Sequence, residues 1–213
     1  MILEPQTLLS HRRLSNGEDK PYELNISWWS AMEYSSRDSN RFQFERFILT
    51  QLLVMALKGV PAFYLPALLA SENDLKSFSM TGQRRDLNRE KFKLDNLLST
   101  LNNPDSNANK NLKYLRNAMD VRSQSKQFHP SSEMKCLSKG RSDIVVIKRG
   151  KGPEAVFAIH NMTDNKINYQ LNDNELPAII DNDFNMQDFL TSSKYNWKNI
   201  SLDPFQVIWL GAI

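Results

Sequence analysis

The chain is expected to be an α/β unit followed by a small antiparallel β domain, and three features of its sequence predict this. An apolar helical period runs from Phe44 to Met55, and a short run apolar on both faces follows at Val60–Leu65. Beyond "HPSSE" (His129 to Glu133) the period turns from helical to alternating.

Phe44, Phe47, Ile48, Leu52 and Met55 recur at the spacing that puts apolar side chains on one helix face. Gly59 stands where a C-terminal glycine would stop that helix, and Pro61 prevents its resumption. "VPAFYL" then reads as a strand covered on both sides, as in a parallel sheet. Such a strand needs neighbours on both edges. The residues before it do not supply them, so it is expected to pair with a second copy or with a preceding part of a longer protein. A long polar connection follows, reaching Phe92, and loops of this kind carry the binding groups of α/β folds. Ala108 to Lys126 is expected to be a second helix with Leu112, Leu115 and Met119 on one face, preceded by the breakers of "NNPDSNANK". "DIVVIKRG", "EAVFAIHNMTD", "KINYQL" and "FQVIWLGAI" read as strands of the β domain. The division expected is 1–130 for the α/β part and 131–213 for the β domain.

Composition narrows the function classes. Apolar residues make up 40% of the chain and charged residues 24%, with a net charge of +3. No strong global field calls for nucleic acid or an anionic membrane, and neither partner is expected. Gln51 to Ala70 has the length of a membrane span, but Lys58, Gly59, Pro61 and Pro66 interrupt it, so a buried helix followed by a strand is expected. Cys136 is the single cysteine, which permits no internal disulfide and no thiolate zinc site. "MILEPQTLLSHRR" lacks the continuous hydrophobic stretch of a secretory leader, and a cytoplasmic location is expected. His129 and His160 have no third ligand nearby, so no metal and no cofactor is expected.

"SMTGQRRDLNREKF" (Ser79 to Phe92) packs Arg84, Arg85 and Arg89 around Asp86 and Asn88. The residues alone leave an anion site, a sugar site or a solvated turn open. Acidic residues interrupt the cluster, against a nucleic-acid face. Arg84 and Arg89 are expected to be exposed or paired with Asp86 and Glu90. Trp28 and Trp29 are expected to serve core and lid packing, and Trp209 the core of the β domain.

Three collinear phrases carry a family resemblance: "DKPYELNISWWSAM" (Asp19 to Met32), "MALKGVPAFYLPALLASEND" (Met55 to Asp74) and "TGQRRDLNREKF" (Thr81 to Phe92). They resemble S-P-Y-E-L-N, G-V-P-x-x-Y with a small-residue loop ending N-D, and T-G-x-x-R-x-I-N-R of the sucrose phosphorylase-like glucoside phosphorylases in the α-amylase superfamily. "DPFQVIWL" resembles the family's closing strand. The resemblance implies the terminal portion of a (β/α)8 TIM barrel, its last strand around Val60–Leu65 with flanking helices, then a C-terminal antiparallel β domain. It also implies an α-glucoside and inorganic phosphate as substrates of the full-length family. Retaining transfer of glucose to phosphate uses an Asp nucleophile and a Glu acid/base about 5 Å apart, with a second Asp that stabilises the transition state.

Residue by residue, Arg85 matches the arginine that anchors the reacting glucose, and Tyr22 and Glu23 match the loop shaping the acceptor and phosphate side. A guanidinium fork suits the first task, since it can donate to a hydroxyl and a carboxylate together. All three family carboxylates lie upstream of P-Y-E-L-N, the last in H-D-G. Here the only histidine upstream is His11, followed by Arg12 and too close to Pro21 to match. The expectation is therefore a fragment without catalytic residues, inactive alone, whose missing N-terminal barrel is a separate polypeptide or a lost segment. The alternative is a non-catalytic carbohydrate-binding or subunit-interaction module.

Overall fold

The computed structural model describes residues 8–33, 41–138, 140–172, 176 and 185–212. The first seven residues of Met1 to Arg13, the stretch expected to lack a secretory leader, lie outside them. The chain divides into two compact units, Met1–Gln43 with Phe63–Leu112, and Phe44–Ala62 with Lys113–Ile213.

The first unit opens with an antiparallel hairpin, β1 (Leu9–Arg13) and β2 (Asp19–Leu24). No strand pattern in the sequence points to it, because most of its side chains are exposed and no apolar alternation marks it. A short helix α1 (Trp28–Ala31) follows, capped by the Ser27 hydroxyl, which accepts from the Ser30 N–H at 3.1 Å. Trp29 is buried and Trp28 is 38% exposed, so core and surface share the pair.

The helix expected from Phe44 is α2 (Gln43–Ala56), with Phe47, Ile48, Leu52 and Met55 on its buried face. The expected strand at Val60–Leu65 does not form: residues 60–64 join no ladder, and Val60 and Tyr64 are 81% and 56% exposed. Apolar character cannot make a strand without a partner backbone to complete its hydrogen bonds. Leu65 instead begins α3 (Leu65–Leu68), with Pro66 inside its first turn, where a missing N–H costs nothing. The polar connection then folds into α4 (Leu75–Thr81), a 3-10 turn (Arg84–Asn88) and α5 (Leu94–Asn102). The second expected helix is α6 (Asn107–Gln124). Its Asn111 is fully buried and donates to the Ala67 and Leu68 carbonyls at 3.1 and 2.8 Å, partnering α3's last turn.

The second unit contains a six-stranded antiparallel sheet ordered β3 (Met134–Cys136), β4 (Ile144–Arg149), β5 (Val156–Asn161), β10 (Val207–Gly211), β7 (Asn185–Asp188) and β8 (Lys194–Asn196). A two-stranded sheet, β6 (Ile167–Tyr169) with β9 (Ile200–Leu202), completes it. Alternation located β4, β5, β6 and β10. It missed β3, β7, β8 and β9, each only three or four residues long and so too short to show a period.

Ile144, Val146, Phe157, Ile159, Ile208 and Leu210 face one apolar layer with Ile200, Leu202 and Trp197. Arg149, Val156, Ala158, His160, Val207 and Trp209 alternate with them and are buried as well. β5 and β10 are thus covered on both faces although every pairing is antiparallel. The Phe128 ring lies 4.6 Å from that of Trp209 on the second face. On the same face, Arg149 donates to Ala56 and Leu57 at the end of α2.

Gly211 is a close-approach site, for an added Cβ would sit 2.2 Å from Cζ of Phe189. Gly211→Ala must push that ring aside and is expected to cost about 1–3 kcal/mol. A lowered urea midpoint at unchanged slope is the readout, and an unshifted midpoint would show that the ring moves freely. No helix among the described residues is long and apolar enough to cross a membrane.

Candidate functional site

The three motif phrases converge within the first unit through backbone and side-chain bonds. Asn25, fully buried, donates from Nδ2 to the Leu8 carbonyl at 3.1 Å and to the Ser10 hydroxyl at 2.8 Å, which joins the motif strand to β1. Asn73 makes a reciprocal link: its Oδ1 accepts from the Ser27 N–H at 2.7 Å, and its own N–H donates to the Ser30 hydroxyl at 3.0 Å. Asp74 caps α4 by accepting from the Ser77 N–H at 2.8 Å, and its N–H donates to the Leu87 carbonyl at 2.8 Å. Burial raises the Asp74 carboxyl, but the Ser77 bonds outweigh it and hold it below the usual aspartate value. Thus N-D ties the first phrase to the third.

Within "TGQRRDLN" each residue type has a local reason. Gly82 ends α4 at φ +67°, a left-handed conformation that side chains with a Cβ resist. The Thr81 hydroxyl donates to Asp86 at 2.6 Å and accepts from the Gln83 N–H at 3.1 Å, closing the turn. Leu87 is fully buried and anchors the 3-10 turn from below. The two arginines before Asp86 then reach the hairpin, one to each strand. Arg84 Nη1 donates to the Leu9 carbonyl on β1 at 2.5 Å. Arg85 Nε pairs with Glu23 Oε2 on β2 at 3.2 Å, the side chains being 56% and 28% exposed. Asp86, expected as a partner of Arg84, is held by Thr81 instead, because a threonine hydroxyl five residues back is already in place.

β2 carries a bulge at the motif. Ser10 pairs with Glu23 and His11 with Pro21, so Tyr22 is the extra residue. Pro21 has no N–H to offer a ladder, which favours a break there. The outcome is a Tyr22 side chain that is 61% exposed beside the Arg85–Glu23 pair's strand position. The structure thus brings Arg85 and Glu23 into contact, with Tyr22 adjoining Glu23 in sequence. Arg84 and Asn73 were missed as positioning residues, since their contacts are long-range and leave no periodic signal.

A groove of about 870 Å3 also lies in the first unit, lined by Asn73, Asp74, Lys76, Phe92 and Leu97 among others. Arg85, Glu23 and Tyr22 do not line it. Its walls mix both charges with apolar side chains and converge on no reacting position, so size alone does not mark it as the site. Among the described residues no group of three or more His, Cys, Asp and Glu is placed to hold a metal.

The likeness to known proteins runs through this same architecture. A glucosylglycerate phosphorylase of Allomeiothermus silvanus is 31% identical over 176 residues, covering 76% of this chain and 31% of the relative. One from Spirochaeta thermophila is 30% identical over 152 residues, covering 71% and 23%. A sucrose phosphorylase of Streptococcus mutans is 23% identical over 155 residues, covering 72% and 29%. Over most of its length the chain is a homologue of the glucoside phosphorylases. It spans between about a quarter and a third of the length of these curated relatives.

Solved structures agree on the fold. AmyP bound to maltotriose matches with a TM-score of 0.64 at 17% identity, covering 83% of this chain and 36% of that one. The sucrose 6F-phosphate phosphorylase of Thermoanaerobacter thermosaccharolyticum matches with a TM-score of 0.54 at 17% identity, covering 73% and 30%. No family model matches the chain.

Proposed function

We propose that this chain supplies the glucose-anchoring and acceptor-side wall of a retaining glucoside phosphorylase. In this reading Arg85 holds the glucose at the reacting subsite, while Tyr22 and Glu23 shape the side from which phosphate attacks. The reaction is transfer of glucose from an α-glucoside, such as sucrose or glucosylglycerate, to inorganic phosphate, giving glucose 1-phosphate. The nucleophile, the acid/base and the stabilising Asp of such enzymes have no motif counterpart among these residues. The chain by itself is therefore inactive, a C-terminal fragment in the cytoplasm. Residues 1–130 are the closing segment of a (β/α)8 barrel, completed by a partner barrel polypeptide. Residues 131–213 are the β domain.

The observation that carries this reading is the Arg85–Glu23 pair at 3.2 Å, formed between two motif phrases 62 residues apart. Glu23 keeps the guanidinium directed while the Arg85 side chain stays 56% exposed, and so able to donate to a sugar hydroxyl.

Titration of the full chain with glucose and glucose 1-phosphate tests it. Specific binding is expected, weakened about tenfold by Arg85→Gln, the scale of one lost charge-assisted bond. Arg85→Lys should restore only part of it, a point charge being a poor substitute for a fork. No glucose 1-phosphate should form from sucrose or glucosylglycerate and phosphate. Undiminished binding by Arg85→Gln would overturn the assignment of Arg85, and turnover by purified chain would overturn the inactive fragment.

A further inference from the structure

We propose that Arg12 and Lys20, opposed across the β1–β2 hairpin, form a binding pair for an oxyanion, phosphate or carboxylate. This deepens the phosphorylase reading and rests on it for the identity of the ligand. The register sets Arg12 directly opposite Lys20. Side chains so paired leave one face of the ladder together, with Cβ atoms about 5 Å apart. Two like charges in that position repel, and an ordinary hairpin avoids them.

The neighbouring acids do not relieve the repulsion. Asp19 is opposite Arg13, Glu18 accepts from Asn16 Nδ2 at 2.9 Å in the turn, and Glu23, which the register puts on the same face, is paired with Arg85 at 3.2 Å. Among the described residues, the side chains of Arg12 and Lys20 have no hydrogen bond or ion pair. A single anion between them would neutralise the repulsion and accept from both. The hairpin is also held in place beforehand. Arg84 fixes the Leu9 carbonyl, and Asn25 fixes Leu8 and Ser10, so little ordering is spent on binding. Beyond the bulge at Tyr22 it is Glu23, opposite Ser10, that continues the face of Lys20 and Arg12. An anion held there lies beside the face on which the acceptor is expected.

Phosphate titration of the full chain, followed by backbone and side-chain NMR shifts, tests the pair against sodium chloride at matched ionic strength. Saturable shifts at Arg12 and Lys20 are expected with phosphate and not with chloride. The double variant Arg12→Gln with Lys20→Gln should weaken phosphate binding about tenfold, while Arg13→Gln, whose charge faces Asp19, should stay within about twofold. A parallel titration with a small hydroxycarboxylate separates the sources: the tighter ligand identifies whether phosphate or an acceptor carboxylate is bound. Shifts that chloride reproduces, or equal losses from Arg13→Gln, would mean a diffuse positive field and overturn the pair. Saturable binding here, together with glucose binding indifferent to Arg85→Gln, would reject the glucoside reading alone.

Discussion

Arg149→Ala is expected to lower the stability of the second unit by about 3–5 kcal/mol, the range for breaking a buried, charge-assisted network. Arg149 is fully buried and donates to the carbonyls of Ala56, Leu57 and His129 at 2.9, 2.7 and 3.0 Å. Its guanidinium also stacks over Phe128 at 5.6 Å. The first two carbonyls are among those that a helix end leaves without intrahelical partners, and a cation there also meets the negative end of the helix dipole. Arg122 reinforces the same end by donating to the carbonyls of Met55 and Gly59. Burial lowers the pKa of both arginines, and Arg149 is lowered further by the neighbouring Arg122. Each therefore depends on carbonyl dipoles for its partners. Arg149→Lys should recover only part of the loss, since an ammonium cannot span three carbonyls from one plane. Urea unfolding with amide exchange read on β5 measures both variants. A loss below about 1 kcal/mol would mean that water replaces the arginine.

Acidification is expected to weaken the same unit through His160. The ring is fully buried, and Nδ1 lies 3.3 Å from the Val145 carbonyl. Burial pushes its pKa from 6.5 down to about 4, with the backbone of Val145, Leu52 and Ala158 opposing the shift. The folded chain thus holds the neutral imidazole, while the unfolded chain protonates first. Stability is full above pH 6.5, falls as pH drops towards 4, and loses about 3 kcal/mol in all. Asp188 acts with the opposite sign: burial raises its carboxyl despite bonds from Thr191, Trp209 and Leu190, so its proton uptake favours the folded form as pH falls. Unfolding free energies measured across this window should therefore drop and then level off. His160→Gln should flatten the drop. An unchanged pH profile in that variant would assign the acid sensitivity elsewhere.

Other candidates singled out from the sequence have structural places. Asn161, in a glycosylation-type triplet, is fully buried and donates to the Asn165 and Asp203 carbonyls at 2.7 and 2.8 Å. Cys136 is exposed, with Sγ 3.5 Å from the Ser138 hydroxyl. Trp209 is core, as its alternation with Val207 suggested, but on the face shared with Phe128.

Local chemistry makes much of the chain legible from its residues alone. The apolar period of α2 and the alternation of β4, β5 and β10 each arise from neighbours a few residues apart, and each appears in the fold. The pairing of Arg85 with Glu23 spans 62 residues, and from the residues alone Arg85 reads sooner as a solvated loop residue than as a ligand. Motif resemblance singled out both residues, and the folded chain brought them into contact.

Elsewhere local pattern misled. Val60–Leu65 has the composition of a strand covered on both faces, yet the doubly covered strands are β5 and β10, and they are antiparallel. Composition reports that a segment can be buried, not what buries it. A strand exists only when a second backbone completes its ladder, and that depends on residues far away in the chain. The bulge at Tyr22, the reach of Arg84 to Leu9 and the clasp of Arg149 on α2 belong to the same class. Each is a single polar contact between distant residues with no period to announce it. Short-range patterns are therefore written into the order of the residues, whereas the direction of each charged side chain is decided only when the tertiary fold brings its partner near.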